Sequence, residues 1–307
     1  QVELNKNSIC MKITSIGEVL FDLFPNHKKL GGAPLNFIFH IHKLTGEGNL
    51  ISRVGKDILG TKAIDEIKFA GLNTDYIQID RIHPTGVANV TLDSNGNPEF
   101  EIDIDRAFDY LELTDEVKEL VSQETNCLYF GTLAQRSEIS RNSIQSLFNN
   151  RDIKYFCDLN LRNDFYDEEI ISESLKTADF LKVNYKEMGL LNDLITQIDY
   201  NTEKVAYELM EQFNISMIAV TRGKDGSTIF ENGKRYDYTS IDVKVKDTTG
   251  AGDAFAAMLC LGYLQGLETN RINKLANDFA GEICMIDGAI PKNDRIYDNF
   301  RELIGIY

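Results

Sequence analysis

Positive charge is scarce in this chain. Against 48 Asp and Glu stand only 32 Lys and Arg in 307 residues, a formal net charge of −16. A field of that sign repels nucleic acid and anionic membrane, so neither is expected as a partner. It also repels a polyphosphate, so a nucleotide site here would need local positive potential and a divalent cation. Long apolar runs are missing, and nothing approaches the length of a membrane span. Cysteine is sparse as well. Cys10, Cys127, Cys157, Cys260 and Cys284 are odd in number and scattered, with no C-x-x-C. That argues against a disulfide framework or a zinc site, and the apolar surroundings of four of them read as buried thiols in a reducing cytosol. Of the four histidines, only His40 and His42 lie close together, and on a helix they point in different directions. No repeat, low-complexity tract or interdomain linker breaks the chain. With 43% hydrophobic residues it can bury one large core, and residues 11–307 read as a single domain. Met11 opens the first strand-like run and reads as the natural start. Gln1–Cys10 lack a signal peptide's apolar segment and are set aside as an extension.

Apolar strand-like runs alternate with helical periodicity along the chain. Strands are expected over Lys12–Gly17, Leu50–Val54, Ile77–Ile79, Cys127–Phe130, Tyr155–Asp158, Phe180–Val183 and Met217–Thr221. Helices are expected over Pro34–Leu44, Gly60–Ala70, Asp115–Ser122, Ile139–Phe148, Asp167–Thr177, Tyr185–Leu191, Thr202–Phe213, Ala254–Gln265, Arg271–Met285 and Arg295–Ile304. Ser227–Glu231 and Lys234–Tyr238 form a hairpin across Asn232-Gly233. This pattern predicts an α/β three-layer sandwich, a mainly parallel sheet with helices on both faces. Two stretches break the alternation: residues 20–31, and 86–106 with strands Gly86–Leu92 and Phe100–Ile104 around a turn at Asp93–Pro98. They predict a small β-sheet covering a site as a lid. In parallel sheets ligands bind beyond the carboxyl ends of the strands. Glu18, Asp22, Asp158, Asn160, Asn184, Arg222 and Gly223 all fall there.

The densest chemistry lies in Asp247-Thr248-Thr249-Gly250-Ala251-Gly252-Asp253, followed at once by an apolar helical run. A glycine turn feeding a helix leaves backbone N–H groups unpaired at the positive end of the helix dipole, which makes an anion site. Gly250 and Gly252 let the backbone approach a phosphate. Asp253 beside such a site fits a base that takes a proton from a hydroxyl attacking a phosphoryl group. Gly31-Gly32-Ala33-Pro34-Leu35-Asn36 makes a second accessible helix start, where the Asn36 amide suits a polyhydroxyl ligand. Asn184-x-x-Glu187 reads either as a holder of hydrated magnesium or as a capping box. Arg162 reads as a phosphate or hydroxyl contact, or as a surface ion pair. Thr221-Arg222-Gly223 lines a nucleotide site or simply leads into the hairpin.

Together these residues resemble the ribokinase-like (PfkB) carbohydrate kinases. The likeness runs from Met11 to Ile304. Gly31–Asn36 is similar to that family's first signature, Asp247–Asp253 to its second, and Asn184-x-x-Glu187 to its magnesium-associated motif. The resemblance implies ATP-dependent phosphorylation of a sugar hydroxyl. It implies Asp253 as base, and the N–H groups of Gly250, Ala251 and Gly252 as an anion hole. Asp22, Gly31, Gly32, Asn36 and Arg162 would face the sugar. Thr221, Arg222, Gly223 and Asn277 would face ATP, and Glu187 with Asn184 would hold Mg²⁺ through water. A K⁺ site near Asp247, Thr249 and Ala289 is also implied, as is a homodimer paired through the lid. Within the family, Gly17–Asp22 and Gly-Gly-Ala-Pro-x-Asn look like fructokinases. The stretch Asp103–Asp109 departs from their Arg-x-Pro-x-Ala-Asp and leaves the sugar open. Kinases of ribose, 2-keto-3-deoxygluconate or a nucleoside are the alternatives, as is a sugar-binding regulator without catalysis.

Overall fold

The computed structural model describes residues 11–92, 98–150, 152–240, 243–291 and 293–306. The expected extension (1–10) and most of the expected hairpin turn (93–97) lie outside the described residues. The first strand, β1 (Ile13–Ile16), gives way to β2 (Leu20–Leu23) and β3 (Lys28–Gly31), which lead straight into α1 (Ala33–Thr45). Next come β4 (Asn49–Gly55), α2 (Ile58–Phe69), β5 (Ile77–Asp80), β6 (Gly86–Leu92) and β7 (Pro98–Ile102). After α3 (Asp115–Glu119) follow β8 (Cys127–Phe130), α4 (Glu138–Gln145), β9 (Lys154–Asp158), α5 (Glu168–Thr177) and β10 (Phe180–Asn184). Then come α6 (Tyr185–Leu191), α7 (Thr202–Phe213), β11 (Met217–Thr221), and the hairpin β12 (Ser227–Glu231) and β13 (Lys234–Tyr238). The chain closes with α8 (Ala251–Leu264), α9 (Thr269–Cys284) and α10 (Arg295–Ile304).

Two sheets result. The larger has nine strands in the order β13-β12-β11-β10-β9-β8-β1-β4-β5, and the smaller has four, β3-β2-β6-β7. All neighbours in the large sheet are parallel except at the β11–β12–β13 end. Parallel strands covered on both faces must be apolar on both faces, and side-chain alternation divides them between two cores. Cys127, Tyr129, Phe156 and Phe180 join α1, α8, α9 and α10 on one face. Leu128, Phe130, Cys157, Leu181 and Val183 join α5, α6 and α7 on the other. Helix α8 is buried without interruption from Ala254 to Gly262, as expected of a helix apolar all round and wedged between the sheet, α1 and α9. Among the described residues Cys127, Cys157 and Cys260 are buried free thiols and Cys284 is partly buried. No helix among them is long and apolar enough to cross a membrane.

Several boundaries differ from expectation. Helix α8 begins at Ala251 rather than Ala254, so Asp253 sits inside its first turn. The strand expected over Phe100–Ile104 is Pro98–Ile102, where Pro98 is tolerated because β7 is an edge strand. The helix expected over Asp115–Ser122 stops being α-helical at Glu119, and Leu120–Glu124 forms a wider π-type turn.

Candidate active site

Two helix starts meet at the carboxyl ends of the central strands. Gly250 caps α8 with φ 76°, and a Cβ there would lie 2.2 Å from Ala289 Cβ. Gly32 caps α1 with φ 118°, and a Cβ there would lie 2.3 Å from the Glu18 carbonyl oxygen. Neither glycine offers a side-chain cap. Within the α8 turn Ala251 N–H lies 3.2 Å from the Thr248 carbonyl oxygen. Gly250 and Gly252 N–H have no partner among the described residues, so they are the freer donors of the expected three.

One hydrogen bond joins the two starts. Asn36 Nδ2 donates to Asp253 Oδ2 at 2.8 Å, while Asn36 Oδ1 is buried and unpartnered among the described residues. Burial, reinforced by the charge of Asp158, pushes the Asp253 carboxyl up to about 6; Lys182, Asn36 and Arg162 act in the opposite direction. Two further carboxyls stand close by. Glu18 Oε1 accepts from Ala33 N–H at 3.2 Å, and burial raises this carboxyl to about 7 against the pull of Arg162. Asp22 lies with Oδ2 3.3 Å from where a Gly31 Cβ would be; burial raises it to about 6, again opposed by Arg162 and Lys29. The exposed Arg162 guanidinium lies within the field of all three carboxyls and has no recorded ion pair among the described residues.

Beneath the first turn of α8 lies a buried ion pair. In register across β9 and β10, Asp158 faces Lys182, on the sheet face that α8 covers. Lys182 Nζ donates to both Asp158 oxygens at 3.0 Å, and Tyr129 OH donates to Oδ2 at 3.1 Å. The same ammonium lies 3.2 Å from where a Gly252 Cβ would be. Burial disfavours its charge, but Asp158, Glu187 and Asp253 outweigh burial and hold the lysine protonated. Asp158 balances this charge, so the pair places an ammonium against the Gly252 position without adding net positive charge.

At the start of α6, Asn184 and Glu187 form a complete capping box. Asn184 Oδ1 accepts from Lys186 and Glu187 N–H at 2.9 and 3.0 Å. Glu187 Oε2 accepts from Asn184 N–H at 2.7 Å and Oε1 from Leu161 N–H at 2.9 Å. The capping-box alternative is thus what the geometry displays. Each Glu187 oxygen keeps a second lone pair while Asn184 Oδ1 already accepts twice, so Glu187 suits a hydrated ion through water and not direct ligation. Among the described residues no three His, Cys, Asp or Glu side chains gather to ligate a metal.

A second polar neighbourhood lies further along the strand ends. Asn184 stands in register with Thr221, and Thr221 with Ser227. Asn277 Nδ2 donates to Ser227 Oγ at 2.7 Å and to the Asn273 carbonyl at 2.7 Å. Gly223 opens a short 3₁₀ turn with φ 57° and open space around its Cα. The Arg222 guanidinium bonds Thr228 and the Ser227 carbonyl, so it braces the hairpin. At the implied K⁺ position a lysine lies beside the expected carboxylate. Asp247 accepts from Thr249 and Gly288 N–H at 2.9 Å each, and Lys29 Nζ lies 3.1 Å from its Oδ2. Asp247 thus already has a cationic partner.

The profile of the pfkB family carbohydrate kinases matches residues 12–295. This chain belongs to that family. An uncharacterized sugar kinase of Pyrococcus horikoshii is 30% identical over 97% of this chain and 99% of its own length. A fructokinase of Escherichia coli is 29% identical over 84% and 87%. The P. horikoshii kinase solved in complex with ATP superposes with a TM-score of 0.78 at 28% identity, over 90% and 93% of the two chains. For a carbohydrate kinase, sequence reasoning gathered most of the polar residues at the strand ends but passed over Lys182, Tyr129 and Lys29. Lys182 carried a signal: a lone charge inside Phe180-Leu181-Lys182-Val183, where a doubly covered strand should be apolar.

Proposed function

We propose that this sugar kinase is a cytoplasmic fructokinase that transfers the γ-phosphate of ATP to a hydroxyl of fructose. The observation that carries the reading is the Asn36–Asp253 hydrogen bond between two open helix starts. It aims a carboxylate at a place reached both by a phosphate on the Gly250 turn and by a hydroxyl at the Gly31-Gly32 segment. Asp253 accepts the hydroxyl proton as the oxygen attacks the γ-phosphorus. The new O–P bond forms, the bond to the β-phosphate oxygen breaks, and ADP leaves with that electron pair. Charge developing on the transferred group falls on the Gly250 and Gly252 N–H groups and on the Lys182 ammonium. Asp22, Gly31, Gly32 and Asn36 hold the sugar, the unpartnered Asn36 Oδ1 accepting one of its hydroxyls, and Arg162 screens the surrounding carboxyls. Thr221, Gly223 and Asn277 border the nucleotide. Mg²⁺, held through water by Glu187 and Asn184, would neutralise the phosphates. ADP release from Mg-ATP over fructose, ribose, glucose, tagatose, adenosine and 2-keto-3-deoxygluconate tests the reading. Fructose is expected to dominate; turnover on another member alone refutes the sugar, and silence on all refutes the kinase site.

The small sheet serves as the lid of one kinase domain spanning 11–307. Its outer strands β3 and β7, with Ile82 and Ile104 exposed by 84% and 68% beside it, support pairing of two lids in a homodimer. Light scattering is expected to give twice the chain mass; a monomer across concentrations removes the dimer.

A further inference from the structure

Two turns press together behind the α8 start. One carries Asp247 and Gly250. The other is Asp287-Gly288-Ala289, whose Ala289 blocks any Cβ on Gly250 and whose Gly288 N–H donates to Asp247 Oδ2 at 2.9 Å. Each brings a carboxylate to their junction, and the cation between them comes from elsewhere in the fold. Lys29 Nζ lies 3.1 Å from Asp247 Oδ2 and 2.7 Å from Asp287 Oδ1. It also lies 5.5 Å from the Phe24 ring centre and 3.7 Å from where a Gly288 Cβ would be. Its side chain keeps 26% of its exposure and that of Asp247 22%, so the pair is shielded from water but not sealed off. Lys29 belongs to β3, in register opposite Asp22 and two residues before Gly31.

We propose that the Lys29 ammonium is a built-in monovalent cation of this kinase, bridging Asp247 and Asp287 so that the Gly250 turn is held in shape only while β3 is in place. The role of the turn rests on the transfer-site reading above; the bridge itself does not. Electrostatics supports the assignment. The Asp247 side chain keeps 22% of its exposure and that of Asp287 54%; two carboxylates drawn together repel unless a cation lies between them, and the repulsion is least screened at the shielded Asp247. A tethered ammonium supplies that charge at any salt composition, whereas a free ion supplies it only at sufficient concentration. Lys29 is therefore a positioning residue that acts through the Asp247 turn, and it makes the phosphate end of the site depend on the strand that borders the sugar end.

The test compares the full-length wild type with Lys29→Met and Lys29→Arg in potassium, sodium and tetramethylammonium chloride at one ionic strength. Melting temperature and ADP release are both read. The wild type is expected to be indifferent to the cation in both. Lys29→Met is expected to lose turnover about fivefold or more in tetramethylammonium and to regain most of it, with a rise in melting temperature, in potassium. Lys29→Arg is expected to stay indifferent to the cation. Strong potassium activation of the wild type overturns the proposal, as does a Lys29→Met variant that no cation restores in either readout. If the wild type turns over no sugar in any salt, the kinase reading fails. The melting arm then decides the cation bridge on its own: potassium-specific stabilisation of Lys29→Met supports it, and none refutes it.

Discussion

Asp253→Asn is expected to lower kcat on the best sugar by about 10³-fold, within the range of a lost general base, while leaving sugar binding nearly intact. The amide keeps the shape of the side chain but cannot take the proton. The same change is expected to raise the melting temperature. Burial lifts the Asp253 carboxyl from 3.8 to about 6. A folded pKa above the unfolded one means that the contribution of this group to stability is complete below pH 3.8 and is lost as pH climbs through about 6. At neutral pH the ionised carboxylate therefore destabilises the fold. Since the side chain is partly solvent-accessible, removing its charge returns about 1–2 kcal/mol. In the wild type, log kcat/KM is expected to rise with pH up to about 6 and then flatten, as the base loses its proton. Near-normal turnover by Asp253→Asn would remove the base assignment, and a lower melting temperature would remove the account of its burial.

Lys182→Met is expected to be the most destabilising of the polar substitutions at the site. Asp158 is completely buried, and its carboxylate is held by Lys182 and Tyr129. Methionine has nearly the volume of lysine but leaves that charge without its partner, at about 3–5 kcal/mol. Pairing it with Asp158→Asn is expected to recover most of the loss, since no uncompensated charge then remains. A differential scan of both variants checks this; equal melting temperatures would show that Asp158 does not need its lysine. A second readout separates stability from chemistry. Lys182 favours the charged form of Asp253, so in Lys182→Met the rising limb of the pH profile is expected to move to higher pH.

What the sequence disclosed follows from which features are local. The Asp247–Asp253 turn was legible because two glycines, an acid and an apolar run are neighbours in the chain. The parallel sheet was legible because each strand repeats the same short apolar run. Asn36 and Asp253 were each singled out, but their contact spans 217 positions and appears only when α1 and α8 pack. Lys182 was hidden because its meaning depends on register: only the pairing of β9 with β10 shows that its neighbour is Asp158. Lys28 and Lys29 are indistinguishable as letters. Alternation along β3 decides which one reaches a carboxylate 218 positions away. The start of α8 was misplaced by three residues because Ala251-Gly252-Asp253 carries no apolar period. The capping box at Asn184 and the inward fold of Arg222 were both readable as local chemistry, and in each the local reading is what the structure displays.

Gly32 alone separates β3 from α1, and its backbone is pressed against the Glu18 carbonyl. The small sheet is thus spliced to the helix at that end without slack, and a displacement of β3 becomes a tilt of the first turn of α1. Four residues into that turn, Asn36 grips Asp253. The position of the small sheet and the Asn36–Asp253 contact are therefore coupled through a single residue.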